Sequence, residues 1–224
     1  MAATQKVNII MDLTSLFPSS VSLVLADDEM WHKSLRDEEE ALINGSVEKR
    51  QREFRAGRHA AHTALAQLQA PNIPILRGER REPVWPEGYI GSIAHCRDLC
   101  LAACAIDGEI AGLGIDVEPL TPLPKGVDRY IHTEADTKIM QGGQDHYPER
   151  LVFSAKESLY KCYYPLIGRY FGFQSVSLVD IDNGGFDFEP TEKCDITFPS
   201  QMTFHGRYLF DATHLYTACY LIRN

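Results

Sequence analysis

The segment PERLVFSAKESLYKCYY, residues 148–164, predicts a long helix that begins with charged residues. Its apolar residues recur at helical spacing and predict one buried face, formed by Leu151, Val152, Ala155, Leu159 and Cys162. Pro165 predicts the end of this helix, because proline lacks the backbone N–H that continues the helical hydrogen bonds. Strands separated by Asp, Asn, Gly and Pro turns are then predicted at residues 176–179, 186–189, 195–198, 208–211 and 214–222.

The N-terminal half shows a similar order of elements. Residues 47–68 predict an amphipathic helix, since Phe54, Ala61 and Leu65 fall three or four positions apart or at multiples of that spacing. An acidic helical stretch is predicted at residues 35–43. The remaining predicted strands are residues 21–25, 89–94, 99–106 and 112–117. A helix followed by a run of strands, found twice in one chain, indicates an α+β fold with antiparallel sheets.

Composition indicates a folded globular protein. The chain has 224 residues, of which 44% are hydrophobic and 24% charged. Its six cysteines form no C-x-x-C pair, which predicts reduced, mostly buried thiols rather than disulfides or a zinc site. Asp12 interrupts the N-terminal segment, and no apolar run approaches the length that spans a bilayer. We therefore expect a cytoplasmic protein that does not enter a membrane.

Charge is unevenly distributed along the chain. The formal net charge of -9 argues against binding to nucleic acid, which requires a basic surface. One segment is nevertheless basic, and its cations are Lys49, Arg50, Arg52, Arg55, Arg58, Arg77, Arg80 and Arg81. Only Glu53 and Glu79 oppose them there, so this segment predicts a binding site for a small polyanion.

Three carboxylates are candidates for binding a metal ion. Asp116 and Glu118 lie two apart on a predicted strand and therefore point to the same side. Alone, such a pair is usually solvated. Glu157 and Lys161 lie four apart on the predicted helix, a spacing that by default gives a surface ion pair of ~0.3 kcal/mol. Together, three carboxylates on two elements suit Mg²⁺, which takes hard oxygen ligands and keeps water and substrate phosphates as further ligands.

A histidine follows the predicted strand at residues 89–94. In the sequence GSIAHC, residues 91–96, His95 is placed to donate a hydrogen bond to a phosphate. A single histidine in this position is more often a structural residue that is simply hydrogen-bonded. Both interpretations stay open on the motif alone.

The order of these motifs resembles that of the phosphopantetheinyl transferases of the surfactin and enterobactin type, and most of all their actinobacterial members. The resemblance covers most of the chain from Lys49 onward. It is carried by residues 49–54 (KRQREF), 57–58 (GR), 77–81 (RGERR), 82–88 (EPVWPEG), 91–96 (GSIAHC), 114–119 (GIDVEP) and 153–161 (FSAKESLYK), with 163–173 following.

The resemblance implies a fold of two similar lobes, each with an antiparallel sheet and a long helix, related by a pseudo-twofold axis. The lobes would be residues 1–111 and 112–224, with coenzyme A and Mg²⁺, or Mn²⁺ in its place, bound between them. The implied metal ligands are Asp116, Glu118 and Glu157. The residues implied to contact coenzyme A are Arg50, Arg58, Arg77, His95, Lys156 and Lys161, and Arg80 is added for its place in the basic segment.

The resemblance also implies a reaction. The phosphopantetheine arm of coenzyme A moves to a serine of an apo carrier protein, and 3',5'-adenosine bisphosphate leaves. Glu157 would act as the base for the serine and Lys161 would stabilise the leaving group. The expected partners are carrier domains of fatty-acid, polyketide, siderophore or nonribosomal peptide assembly, and a monomer is expected. One departure is Ala94, where the family commonly has serine or threonine, so a hydroxyl contact to coenzyme A is in doubt.

Two other functions remain open at this point. A magnesium-dependent nucleotidyl or phosphate-transfer enzyme would also use the carboxylates and arginines. A catalytically weak module that binds coenzyme A or a carrier would use the same surface without turnover.

Overall fold

The computed structural model describes residues 13–142 and 150–224. Asp12 and the predicted helix start at Pro148 lie outside these residues. The described helices are α1 (Asp37–Glu40), α2 (Glu48–Gln67), α3 (Asp128–Ile131), α4 (Glu134–Gly142) and α5 (Leu151–Ile167). The described strands are β1 (Ser22–Leu25), β2 (Leu76–Arg77), β3 (Pro83–Val84), β4 (Tyr89–Cys96), β5 (Leu99–Ile106), β6 (Ile110–Pro119), β7 (Val176–Asp182), β8 (Gly185–Pro190), β9 (Met202–Phe210) and β10 (His214–Arg223).

The strands form two main sheets, and all their pairs are antiparallel. The N-terminal sheet has the order β1-β5-β4, and the C-terminal sheet has the order β6-β10-β9-β8-β7. A separate two-stranded ribbon joins β2 and β3. The predicted α+β class with antiparallel sheets is therefore confirmed. The pseudo-twofold axis and the lobe boundary at residues 111 and 112 stay predictions.

Helix α2 packs on one face of the N-terminal sheet through small side chains. The buried residues of this contact include Ala56, Ala60, Ala61, Ala64, Cys100, Ala102 and Cys104. Because these side chains are short, the helix backbone lies close to β5. Gly57 permits a close approach to β4 as well, since a Cβ at that position would come within 2.8 Å of Ile93 Cγ2.

The two sheets pack against each other through their other faces. Alternate residues of β5 point away from α2 and join buried residues of β6 and β10 in one cluster, which includes Leu101, Ala103, Ala105, Ile115, Val117, Tyr216 and Ala218. A hydrogen bond also joins the lobes, in which the Ile115 N–H donates to Ser92 Oγ at 3.0 Å. The layers are therefore α2, the N-terminal sheet, the C-terminal sheet and α5.

Helix α5 covers the outer face of the C-terminal sheet, where it contacts β6 and β10. Its buried residues Leu151, Val152, Ala155, Leu159 and Cys162 match the predicted face. Gly114 permits this contact, because a Cβ there would lie 1.9 Å from the Ser158 carbonyl oxygen.

Two sequence predictions in this lobe are wrong. Helix α5 continues past Pro165 to Ile167 and ends at Gly168, whose φ of 67° is favoured by glycine and whose N–H donates to the Tyr164 carbonyl. Residues 195–198 are not a strand. Phe198 is held there by aromatic packing, with its ring centroid 4.8 Å from that of Tyr163.

Candidate active site

The side chains of β6 at even positions face helix α5. Gly114 contacts its backbone at Ser158. Further along the strand, Asp116 and Glu118 form hydrogen bonds with residues on α5 or immediately before it. The strand and the helix thus bring together acidic and basic side chains that are far apart in the sequence.

Asp116 lies at the centre of this contact and is 6% exposed. Its Oδ1 accepts a hydrogen bond from Lys161 Nζ at 2.7 Å, and its Oδ2 accepts one from Ser154 Oγ at 2.9 Å. Lys161 Nζ also donates to the Ile115 carbonyl at 3.1 Å. Lys161 therefore forms its ion pair with Asp116 on β6, rather than the surface ion pair with Glu157 that the spacing on the helix predicts by default.

Glu157 lies on the same face of α5 as the two residues that bind Asp116. It follows Ser154 by three positions and precedes Lys161 by four, and such positions are neighbours on a helix. Burial raises the pKa of Glu157, Lys161 opposes this rise, and the Asp116 carboxylate adds to it. Glu157 is therefore close enough to Asp116 for the charge of one carboxylate to affect the other.

Glu118 is the third carboxylate of this group. We refer to Asp116, Glu118 and Glu157 together as the acidic row. Its Oε2 accepts a hydrogen bond from Arg150 Nη1 at 2.7 Å. Burial and the neighbouring Asp116 raise the pKa of Glu118 to about 7, although Arg150 opposes the rise. Glu118 and Glu157 are therefore both affected by the negative charge of Asp116, a repulsion that a cation would reduce.

Asp116, Glu118 and Glu157 are the carboxylates that could hold a divalent metal ion. Within residues 13–142 and 150–224, the structure assembles no group of three or more His, Cys, Asp or Glu side chains close enough to hold an ion. Lys161 and Arg150 occupy the carboxylates of Asp116 and Glu118 instead. The donor set itself consists of hard oxygen ligands whose mutual repulsion favours a cation, so its chemistry fits Mg²⁺.

His95 and Arg50 extend the site towards the N-terminal lobe. Arg50 Nη1 lies 3.3 Å from His95 Nε2, and Glu53 lies within 4.0 Å of both side chains. Burial lowers the pKa of His95, Glu53 raises it, and Arg50 and Lys161 lower it further. Lys161 on α5 is thus one of the charges that act on His95 at the end of β4.

A cleft of about 320 Å³ lies between the lobes beside the acidic row. Its lining comprises Arg80, Arg81, Glu82, Pro83, Trp85, Gly91, Ser92, Ile93, Glu157, Tyr160, Lys161, Tyr164 and Pro165. The cleft thus has two arginines on one side, the carboxylate of Glu157 and the ammonium of Lys161 on the other, and aromatic walls. This arrangement suits a long ligand that carries phosphates at one end.

Two family models match the chain. That of the 4'-phosphopantetheinyl transferase N-terminal domain covers residues 38–105, and that of the 4'-phosphopantetheinyl transferase superfamily covers residues 112–219. The 4'-phosphopantetheinyl transferase Npt of Nocardia iowensis is 36% identical over 191 residues, which make up 80% of this chain and 86% of the relative. The chain belongs to the 4'-phosphopantetheinyl transferase superfamily.

Two further relatives agree with this assignment. The 4'-phosphopantetheinyl transferase PptT of Mycobacterium tuberculosis is 36% identical over 182 residues, 78% of this chain and 80% of the relative. The 4'-phosphopantetheinyl transferase Svp of Streptomyces mobaraensis is 41% identical over 154 residues, 66% of this chain and 63% of the relative. The predicted resemblance, including its actinobacterial side, is confirmed. The chain is therefore a transferase that moves phosphopantetheine from coenzyme A to a carrier protein.

Lys156 of the transferase does not lie in the cleft between the lobes. Its side chain is 1% exposed, and Nζ donates to Asp136 Oδ2 at 2.5 Å, to the Phe173 carbonyl at 2.8 Å and to the Ile131 carbonyl at 2.9 Å. All three ammonium donors are thus used within the protein. The predicted contact of Lys156 with coenzyme A is not supported by this geometry.

Arg58 and Arg77 are held by backbone carbonyls. Arg58 is 4% exposed and donates from Nε to the Ile75 carbonyl at 2.9 Å and from Nη2 to the Leu76 carbonyl at 3.3 Å. Burial lowers the pKa of Arg58 to about 10. Arg77 is half-buried and donates to the Leu42 carbonyl. Arg58 therefore supports the β2 strand that carries Arg77, and a direct phosphate contact by Arg58 does not follow from this arrangement.

Ala94 and three unanticipated residues complete the description. Ala94 is 2% exposed and lies in the cluster between the sheets, so its side chain does not face the cleft. The sequence motifs assign no site role to Ser154, Arg150 or Glu53. In the structure Ser154 donates to Asp116, Arg150 donates to Glu118, and Glu53 lies within 4.0 Å of both Arg50 and His95. The position of Ser154, three residues before Glu157, is the only signal that could have indicated one of them.

Proposed function

We propose that this transferase is magnesium-dependent and that Asp116, Glu118, Glu157 and Lys161 form its reaction centre. The observation that supports this most strongly is the contact of β6 with α5, where Asp116 raises the pKa of both other acids and Lys161 reaches across to it. A row of interacting carboxylates beside an interlobe cleft is the arrangement that phosphate chemistry with a divalent ion requires.

The phosphates of coenzyme A are proposed to bind on the cationic side of the cleft. Arg50 and His95 lie together near Lys161, and Arg80 lines the cleft on the opposite side. Arg77 lies on β2, and the charges of Arg77 and Arg50 both lower the pKa of Arg58, so both cations lie near that residue. These cations offset the charge of the pyrophosphate and orient it, and arginine adds paired donors that match phosphate oxygens.

Asp116, Glu118 and Glu157 are the proposed ligands of Mg²⁺, or of Mn²⁺ in its place. When bound, the ion would polarise the phosphoryl oxygens and offset the charge that develops on them. To hold the ion, Asp116 and Glu118 would have to release their bonds to Lys161 and Arg150.

Glu157 is the proposed general base for the carrier serine. A serine hydroxyl is a weak nucleophile, and a carboxylate whose pKa is raised by burial is a better proton acceptor near neutral pH. Glu157 accepts the serine proton as the serine oxygen forms a bond to the phosphorus that carries pantetheine. The bond from that phosphorus to the bridging oxygen breaks, and 3',5'-adenosine bisphosphate leaves with its charge offset by Lys161.

The proposed partners are apo carrier domains of fatty-acid, polyketide, siderophore or nonribosomal peptide assembly. We propose a monomer, because the described residues of one chain supply both sides of the cleft. None of the described helices is long and apolar enough to cross a bilayer.

The test is the intact mass of an apo carrier domain after incubation with the transferase, coenzyme A and Mg²⁺. We expect a gain equal to one phosphopantetheine arm, its loss when EDTA is present, and its return when Mg²⁺ is added in excess. Glu157→Gln should slow the gain about 10³-fold, since general-base catalysis contributes at that scale. Glu192→Gln, which changes an exposed turn residue, is the matched control and should act as wild type.

Two results would count against parts of this proposal. A mass gain that persists in EDTA would remove the metal requirement and leave the transfer itself intact. Tight binding of coenzyme A without any mass gain on several unrelated apo carriers would instead support the catalytically weak binding module.

A further inference from the structure

A buried carboxylate connects α1 with the segment that carries Arg77. Glu39 is 0% exposed, and its Oε1 accepts the Ile75 N–H at 3.0 Å and lies 2.8 Å from His62 Nε2. Burial raises the pKa of Glu39, but the bonds from His62 and Ile75 outweigh that effect and leave it lowered. An ionised side chain therefore fixes the backbone two residues before Arg77.

The same segment is bound from its other sides. Arg58 donates to the carbonyls of Ile75 and Leu76, and Arg77 itself donates to the carbonyl of Leu42, three residues after Glu39. Residues 39–42 and residues 75–77 thus hold each other through bonds at both ends. Glu39 and Arg58 supply the only side-chain bonds to the backbone of residues 75–76 that the described structure records.

Stability alone is a poor explanation for Glu39. Among the described residues, its Oε2 has no hydrogen-bond partner although the atom is buried. Burying a carboxylate with one oxygen unpaired costs free energy, and an apolar side chain of similar size often stabilises a protein better. What an apolar side chain would not provide is an acceptor for the Ile75 N–H, which fixes where β2 begins.

We propose that Glu39 is a positioning residue for coenzyme A, which acts by holding residues 75–77 so that the Arg77 side chain stays within reach of the ligand phosphates. This inference rests on the proposed role of Arg77 in the site. Glu39 itself touches no ligand. It sets coenzyme A affinity through one strand and leaves the reaction centre on α5 and β6 unchanged.

The experiment measures coenzyme A binding by calorimetry and, separately, steady-state transfer to an apo carrier. Glu39→Met keeps the volume but removes the acceptor, and we expect the Kd for coenzyme A to rise about tenfold, since small displacements of a binding group cost affinity at this scale. At saturating coenzyme A, kcat should change less than about twofold. Glu39→Gln retains an oxygen for the Ile75 N–H and should restore most of the affinity.

Two further variants show whether Glu39 acts through Arg77. In an Arg77→Ala background, Glu39→Met should change the Kd by less than about twofold, because residues that act as a unit are not additive. Glu38→Met, at the exposed neighbouring position, is the matched control and should bind as wild type. If Glu39→Met does not fold, His62→Gln replaces it and should raise the Kd about threefold, by loosening the Glu39 carboxylate.

Several results would overturn the proposal. These are a wild-type Kd for Glu39→Met, an equal loss of affinity with and without Arg77, or an Arg77→Ala variant that binds coenzyme A as well as wild type. A purely structural role would lower the melting temperature without changing the Kd. Failure of transfer by the wild-type protein would contradict the proposed function, yet the binding measurements would still decide the role of Glu39.

Discussion

Two lysines of helix α5 form ion pairs with aspartates on other elements, and the two pairs differ sharply in their surroundings. Lys156 and Asp136 are 1% and 0% exposed, and the lysine has three acceptors within the protein. The side chains of Lys161 and Asp116 are 27% and 9% exposed, and Lys161 lines the cleft between the lobes. The two lysines are only five positions apart on one helix. Even so, the Lys156–Asp136 pair is enclosed by the protein, whereas ligands can reach the Lys161–Asp116 pair.

The two lysines of the KESLYK motif, residues 156–161, therefore have different roles, one structural and one at the cleft. Lys156 binds the carbonyls of Ile131 and Phe173, so it fastens the segments before α4 and before β7 to the helix. Its neighbour Glu157 therefore lies on a part of α5 that the Lys156 bonds hold against these two segments. Lys161 has a partner that can change, since Asp116 is also a proposed metal ligand, and this makes it suited to chemistry.

The largest effect is expected when the buried pair is broken. Lys156→Ala leaves the Asp136 carboxylate buried without its cation, which should lower the free energy of unfolding by about 4 kcal/mol. Urea denaturation followed by circular dichroism measures this loss. Lys161→Ala should lower the same quantity by less than about 1 kcal/mol, since its pair is partly exposed. If the two variants lose the same free energy of unfolding, the Lys156 pair is not more important for stability than the Lys161 pair.

The next effect concerns the reaction. Lys161→Ala should slow transfer to an apo carrier about 100-fold at saturating coenzyme A, because a cation that offsets developing charge is removed. Single-turnover rates followed by intact mass give the value, with exposed Lys125→Ala as the matched control. A rate within a factor of two of wild type would exclude Lys161 from the reaction centre.

The smallest effect tests the packing that brings the second pair together. Gly114→Ala places a methyl group against the Ser158 carbonyl, so α5 must move away from β6 at a cost of about 2 kcal/mol. Lys161 and Asp116 lie on the two elements that are forced apart, so we expect their ion pair to weaken. Thermal unfolding combined with the transfer assay checks both consequences. Unchanged stability would contradict the close contact between Gly114 and the Ser158 carbonyl of α5.

Much of the fold was accessible from local patterns. Helix α2 and strands β4, β5 and β10 follow apolar spacings that operate over a few residues, and their predicted positions are confirmed, as is the buried face of α5. The end of α5 was missed because proline removes only one helical hydrogen bond, and packing carried the last turn to Gly168. Residues 195–198 were missed because Phe198 is placed by distant aromatic side chains rather than by strand pairing.

The site was less accessible, since its contacts join distant residues. Both lysines of the KESLYK motif were predicted to contact coenzyme A, and nothing in the motif distinguishes them. Their partners do, but Asp136 is 20 positions away from Lys156 and Asp116 is 45 away from Lys161. Arg58 is a similar case. Its side chain donates to the carbonyls of residues 75 and 76, which lie 17 and 18 positions away, so a local sequence pattern does not predict these bonds.

The hydrogen bond from the Ile115 N–H to Ser92 Oγ also bears on self-association. Strands β4 and β6 each lie at the end of a sheet, and such strands can pair with strands of other molecules. Here one such strand is capped by a side chain of the other, and the shared apolar cluster covers both. Either half of the chain produced alone would expose this surface, so we expect the separate halves to aggregate where the intact chain stays dispersed.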